Sequence, residues 1–427
     1  MSVFDELSRR EFLKVGAAGA GMVLLAACTK GGEETSSTSL NALFMQQAAY
    51  SNTDTQGMIA AFQKANPKIK VTPTFVAYEA LHDKIVTAAP AGTYDVVLID
   101  VIWPPEFATK SEVVDVTGRF PANWQTDIFP GALQTAQYQD KFYGVPWILD
   151  TKYFFNNKDM LSKVGVDSAP TTWDEVVSAA TDLKSKGIVK YPLVWSWAQA
   201  EAVICDYAQL LGAYGGQFLD SSGKPAFNAG GGLAALEFMK KTLDDGISNP
   251  ASTESLETDV VKIISQGQAA MALNWTFMFA LANDPSQSEV AGQIGIAHTP
   301  VGPSGAGPSC NGSMALSIAS GSKHPEEAWK LIEFMTSQTI QDQYAKLSLP
   351  IWKSSYDDPQ VVSTAGAEVV AAAKSQLNDM ILRPQVPAYN EASAALQLEI
   401  QNALTGAKTP QQALDDAAKV WEGLLQS

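Results

Sequence analysis

The sequence predicts an α/β protein of two or three domains, with helices on both faces of its sheet. Three observations carry this. Apolar strand-like runs alternate with helical periodicities from Leu40 to Val101. Capping signals open further helices at Thr172, His324 and Thr409. A length of 427 residues exceeds what one core of ordinary size fills. Hydrophobic residues make up 46% and charged residues 17%, a composition that packs a core.

The first residues read as an address. Ser8-Arg9-Arg10-Glu11-Phe12-Leu13-Lys14 precedes an apolar run, Val15 to Ala27, that is too short to span a bilayer. The Arg9–Arg10 pair resembles a twin-arginine export signal, and Leu25-Ala26-Ala27-Cys28 resembles a lipobox. Together they imply a signal over 1–27, cleavage before Cys28, and a lipid on its thiol that anchors a soluble body to the membrane. Residues 28–39 are polar and rich in Gly and Ser, as a flexible tether is. Cys205 and Cys310 then remain, either as a pair in an oxidising compartment or as two buried thiols.

Leu40–Met45 is a short apolar strand. Met58, Ile59 and Phe62 give a helix over 54–65 that stops before Pro67. Ile69, Val71 and Phe75 alternate as a strand, which Pro73 pushes to a sheet edge. Leu81, Ile85 and Ala89 mark a helix, and Tyr94–Val101 a fully apolar strand ending at Asp100. Ligands of such sheets sit at the carboxyl ends of strands, where Asp100 falls. The capping box Thr172-Trp173-Asp174-Glu175, the Pro at the start of 325–335, and Thr409-Pro410-Gln411-Gln412 open the later helices. The Pro/Gly-rich stretch 299–312 reads as a loop near a domain crossover.

Charge and motifs exclude several functions. Lys and Arg total 29 against 45 Asp and Glu, a net charge of -16 that repels phosphate backbones, so no nucleic-acid partner is expected. Gly223-Lys224 lacks the upstream glycine of a phosphate loop, and Gly302-Pro303-Ser304-Gly305 is not a nucleophile elbow. His82, His298 and His324 are scattered singly, so neither a metal nor a cofactor is expected, and no catalytic residue is assigned. An anchored glycoside hydrolase, which needs only two carboxylates, is the enzyme alternative.

Aromatic and isolated polar residues carry the positive signal. Trp103, Trp147, Trp195, Trp197 and Trp275 sit where strands or loops end. A sugar offers apolar C–H faces to aromatic rings and a girdle of hydroxyls to carboxylates, amides and guanidinium groups. Asp100, Asp150, Asn274 and Arg383 lie beside or near such positions. Trp173, Trp329 and Trp421, at helical spacing, read instead as core.

The run Phe154-Phe155-Asn156-Asn157-Lys158-Asp159-Met160-Leu161, followed by Pro170-Thr171-Thr172-Trp173-Asp174-Glu175, resembles the extracellular solute-binding proteins of sugar ABC importers. So do Gly267 to Trp275, Gly312 to Ile318, and Lys323 to Lys330, in an order that covers residues 40–427. Leu193-Val194-Trp195 before Cys205-Asp206, and Arg383-Pro384-Gln385-Val386-Pro387, look most like trehalose- and maltose-type binders. The resemblance implies a periplasmic-binding-protein-like fold, two α/β lobes with a hinge and an interlobe ligand cleft. Lobe one is expected over 40–149 plus 299–340, and lobe two over 151–297 plus 341–427.

The same resemblance implies the site. Asp100 and Asp150 would accept sugar hydroxyls, Trp147, Trp195, Trp197 and Trp275 would offer aromatic faces, and Asn274 would hydrogen-bond. Gly312 would let the backbone approach and Arg383 would donate. Gln47 and Glu79 would add polar contacts after early strands. Ser313 and Ile148 stand where the disaccharide pattern has aromatics, which keeps a monosaccharide or polyol open beside an α-linked disaccharide. The expected partners are a small sugar, ABC permease transmembrane subunits and, through the lipid, the extracytoplasmic membrane face; a monomer suits that docking. A receptor feeding a chemosensory protein is a further alternative.

Overall fold

The computed structural model describes residues 37–46 and 49–426. The expected export signal with Arg9 and Arg10, the expected lipobox cysteine Cys28, and Gln47 lie outside the described residues. Two sheets organise the rest. The first holds β1 (Thr38–Met45), β2 (Ile69–Val76), β3 (Val96–Asp100), β4 (Val145–Ile148) and, from later in the chain, Met314–Ile318. The second holds β5 (Tyr153–Asn157), β6 (Leu193–Val194), β7 (Met271–Asn274) and β8 (Ile294–Ala297). A two-residue strand, β9 (Ser309–Cys310), lies inside the Pro/Gly-rich stretch; Met314–Ile318 is β10, and β11 is Met380–Ile381.

The first sheet runs β2-β1-β3-β10-β4. β1 is parallel to β2 and β3, and β10 is antiparallel to β3 and β4. Pro73, which has no N–H to donate, lies on the edge strand as expected. β1 opens at Thr38, so the last residues read as tether are strand. The first helix is Asn52–Ala65 and opens two residues before the expected 54. Ser51 and Asp54 close a reciprocal capping box there, which the hydrophobic spacing alone did not reveal. Helices Trp173–Ser185, Pro325–Thr336 and Pro410–Leu425 open where the capping signals place them.

The second sheet runs β8-β5-β7-β6 and packs on both faces. Alternation along β5 and β7 divides it. Phe154, Met271 and Leu273 face one apolar cluster with Trp173 and Trp421; Tyr153, Phe155 and Ala272 face the other. No helix among the described residues is long and apolar enough to cross a membrane.

The two lobes are joined by neighbouring crossings. Leu149–Lys152 leads from β4 to β5, and residues 298–313 return from β8 to β10. They pair with each other at Thr151 and Asn311, and β9 pairs in parallel with β11. The boundary expected at 340 is corrected. Gln341 Nε2 donates to the Trp147 carbonyl (2.7 Å), Ser354 Oγ donates to Asp127 (2.6 Å), and Trp352 bridges Ile128. Residues 341–357 therefore stay on the first lobe, held by polar contacts that no local pattern announces.

Candidate functional site

A cavity of about 100 Å³ lies where the first sheet's strands end opposite the second lobe. Met45, Asp100 and Ile148 close β1, β3 and β4 there, and Trp275 follows β7. Four other lining residues each begin a helix: Tyr78, Glu201, Glu257 and Phe277. Strand carboxyl ends and helix amino ends thus converge on one space. The free N–H groups and dipoles of the first three of these helices favour the acidic residues of their first turns.

Arg383 is the centre of the polar wall. It is 1% exposed; one terminal nitrogen donates to Glu201 (2.8 Å), and the other to Asp100 (3.0 Å) and the Asn311 carbonyl (3.2 Å). Among the described residues its Nε–H has no hydrogen-bond partner. Tyr78 and Tyr389 donate to Asp100 and Glu201 respectively, at 2.5 Å each. One guanidinium is therefore shared by two carboxylates from different lobes, with its planar fork supplying the geometry. Nearby, Gln385 donates to the carbonyls of Val101 and Gln134, and Asn390 bonds Trp103 and Glu106. The 383–390 segment is thereby strapped to the end of β3.

Trp275 forms the aromatic wall. Its indole N–H donates to Glu257 (3.2 Å), and the buried Lys152 ammonium lies 5.2 Å from its ring centre. Asn274 is wholly buried and off the cavity. Its side-chain amide donates to the Glu257 carbonyl (3.0 Å) and accepts the Trp275 backbone N–H (2.8 Å), so it positions the wall instead of touching a ligand. A Cβ on Gly312 would overlap the Trp275 ring. Gly312→Ala should therefore cost about 1–3 kcal/mol of stability and displace the indole; denaturant unfolding with indole fluorescence reads both, and an unchanged midpoint would refute the contact.

Asp150 lines the cavity at the first crossing, buried. Burial pushes its carboxyl up to about 7, against the hydrogen bonds that oppose this from the Thr276 hydroxyl and the Thr276 and Thr151 amides. Glu79, in an exposed first turn, reaches the same space.

The structure thus brings Glu79, Asp100, Asp150, Trp275, Gly312 and Arg383 together. It does not bring Trp147, Trp195 or Trp197, nor Asn274. On β4 Ile148 faces the cavity, so alternation turns Trp147 into the first lobe's core against Phe44 and Tyr50, with ring centres 5.6 and 4.8 Å away. Trp195 and Trp197 stack on each other at 4.9 Å inside the second lobe, and Trp195 donates to Ser248. Sequence reading missed Tyr78, Glu201, Glu257 and Phe277. A helix start following a strand was the signal that would have found Tyr78, Glu201 and Phe277, whereas the helix of Glu257 follows another helix and a short turn. Cys205 and Cys310 are buried and free, and Cys205 also lines the cavity.

Comparison with known proteins agrees with this architecture. The family model described as bacterial extracellular solute-binding protein matches residues 48–342. An ABC transporter-binding protein of Deinococcus radiodurans is 26% identical over 348 residues, 79% of this chain and 80% of its own. Maltose-bound MalE3 of T. maritima superposes with a TM-score of 0.85 at 29% identity, covering 91% of this chain and all of that one. A solute-binding protein of Thermotoga lettingae bound with α-D-tagatose gives 0.82 at 27% identity, covering 91% and 100%. With two α/β lobes around an interlobe cleft and this match over most of its length, the chain belongs to the bacterial extracellular solute-binding protein family.

Proposed function

We propose that this chain is the sugar receptor of an ABC importer, exported, cleaved before Cys28, lipid-anchored outside the membrane, and acting as a monomer that hands its ligand to permease subunits. One observation carries the sugar reading: the Trp275 ring, with Tyr78 and Phe277, lines the same small cavity as a guanidinium held between two carboxylates. That arrangement suits a ring with apolar C–H faces and a hydroxyl girdle. Binding would favour the closed state because the ligand touches both lobes. Asp100, Asp150 and Glu79 would accept hydroxyls, and Arg383 would donate.

The volume favours a small ligand. At roughly 10–15 Å³ for each water-sized unit, about 100 Å³ holds roughly seven to ten of them, the scale of one sugar ring or polyol. The maltose-bound neighbour supports the α-linked disaccharide as a second reading. A melting panel on residues 29–427 with maltose, trehalose, glucose, tagatose and inositol, against an amino acid and a peptide, tests both. A ligand at a thousandfold over its Kd stabilises by about 4 kcal/mol. A shift with single rings alone supports the smaller ligand, a shift with a disaccharide the larger. A shift only with the amino acid or peptide refutes the sugar reading.

Trp275→Ala should weaken binding of the active sugar by about 1–3 kcal/mol, by analogy with base–aromatic stacking. Calorimetric titration showing unchanged affinity would remove the indole from the site.

A further inference from the structure

The cleft holds more negative charge than its own cations cancel. Arg383 is shared by Asp100 and Glu201, leaving one negative charge over in that group. Lys152, wholly buried, is shared by Asp206 (2.6 Å) and Glu257 (3.5 Å), leaving another. Glu79 lines the cavity as well. Among the described residues no cation lies within ion-pair distance of Asp150, whose partners are Thr276 and Thr151; with its carboxyl pushed up to about 7 by burial, it adds only part of a charge at neutral pH. Five carboxylate side chains thus line a cavity whose one lining cation, Arg383, is already committed twice.

A neutral sugar donates hydrogen bonds to such a wall and leaves its charge in place, in surroundings where burial makes uncompensated charge costly. A ligand ammonium supplies the missing charge and three donors together. The Tyr78 and Trp275 rings on the lining offer faces that attract a cation as well. A second feature restricts the amine's carrier. Arg383 lines the cavity with a side chain that only donates, so an acceptor oxygen on the carrier is the group it can bond.

We propose that the cleft selects a hydroxylated amine, a sugar or polyol bearing a protonated amino group, over its neutral counterpart. This rests on the sugar-receptor reading above and narrows it to a charge class. The ammonium lies between Glu201 and Glu257, and a hydroxyl or ring oxygen accepts from Arg383.

The test is calorimetric titration of residues 29–427 at neutral pH with matched pairs: glucosamine with glucose, galactosamine with galactose, mannosamine with mannose. N-acetylglucosamine is the control that keeps the nitrogen and loses the charge. The amine of the best-fitting pair is expected to bind on the order of tenfold or more tightly than its neutral partner, with a preference that shrinks as salt rises. N-acetylglucosamine should behave as the neutral sugars do. Glu257→Gln should reduce the amine-to-neutral affinity ratio, whatever it does to each affinity. Equal or tighter binding by the neutral members overturns this inference and leaves the sugar receptor standing. No binding by any amine or neutral sugar overturns both.

Discussion

Replacing Arg383 by methionine should destabilise the folded protein by about 3–5 kcal/mol, because it strands two carboxylates that were paired and desolvated together. Asp100 and Glu201 come from different lobes, and each keeps only a tyrosine hydroxyl or other neutral donors once the guanidinium is gone. Burial without a counter-charge is the costly state, more than the loss of an attraction. Combining R383M with Asp100→Asn and Glu201→Gln should therefore recover much of the loss, since the charges to be compensated are gone. Arg383→Lys keeps the charge but not the fork, and should fall between wild type and R383M. Urea unfolding of the four proteins is the measurement. If the triple variant is no more stable than R383M, uncompensated charge is not the cause.

The second large effect is a dependence on pH. Asp150 is held near 7 when folded, against about 4 for an ordinary aspartate, with burial as the main cause. The folded state therefore keeps a proton that the unfolded chain releases between about pH 4 and 7. Stability falls as pH rises wherever the native state binds more protons. The contribution of Asp150 is thus fully favourable below about pH 4 and is lost through about pH 7. Three pH units at roughly 1.4 kcal/mol each bound the loss at about 4 kcal/mol. Asp150→Asn retains an acceptor for Thr276 and Thr151 and cannot ionise. Its unfolding free energy should show a flatter profile over that range and exceed wild type at pH 8. Parallel profiles for the two proteins would disprove the assignment.

Glu106 works in the opposite direction, and the two groups separate in pH. Burial opposes its ionisation, yet hydrogen bonds from His82 and Lys110 hold its carboxyl down at about 2. Its stabilisation is present above the ordinary glutamate range and fades only as pH falls through about 2. Asp150 therefore contributes to the loss of stability between pH 4 and 7 together with Asp206, Asp342 and Glu112, which burial also raises, while the acid limb belongs to Glu106 and similar groups.

The parts of this protein that depend on neighbours in sequence were legible from sequence. Thr172 with Glu175 and Thr409 with Gln412 cap helices through bonds spanning three residues, and Pro73 marks an edge strand through its missing donor. Asp100 at a strand end was legible too, because the ends of strands in such a sheet face the ligand space. The placement of Asp150, Trp275, Gly312 and Arg383 came from resemblance, since nothing local marks them.

Tertiary structure alone decided which tryptophans face the cavity. Trp147 and Ile148 are adjacent on one strand, and pleating sends them to opposite faces; only the assembled sheet tells which face is core. It also decided that Glu201, 182 residues from Arg383 in sequence, shares its guanidinium with Asp100. Side-chain charge is written in the sequence, but its compensation is set by which groups lie within a few ångströms and by how much water is excluded between them. The chain's acidity was countable from its residues; that two cations each serve two carboxylates around one cavity was a property of the fold.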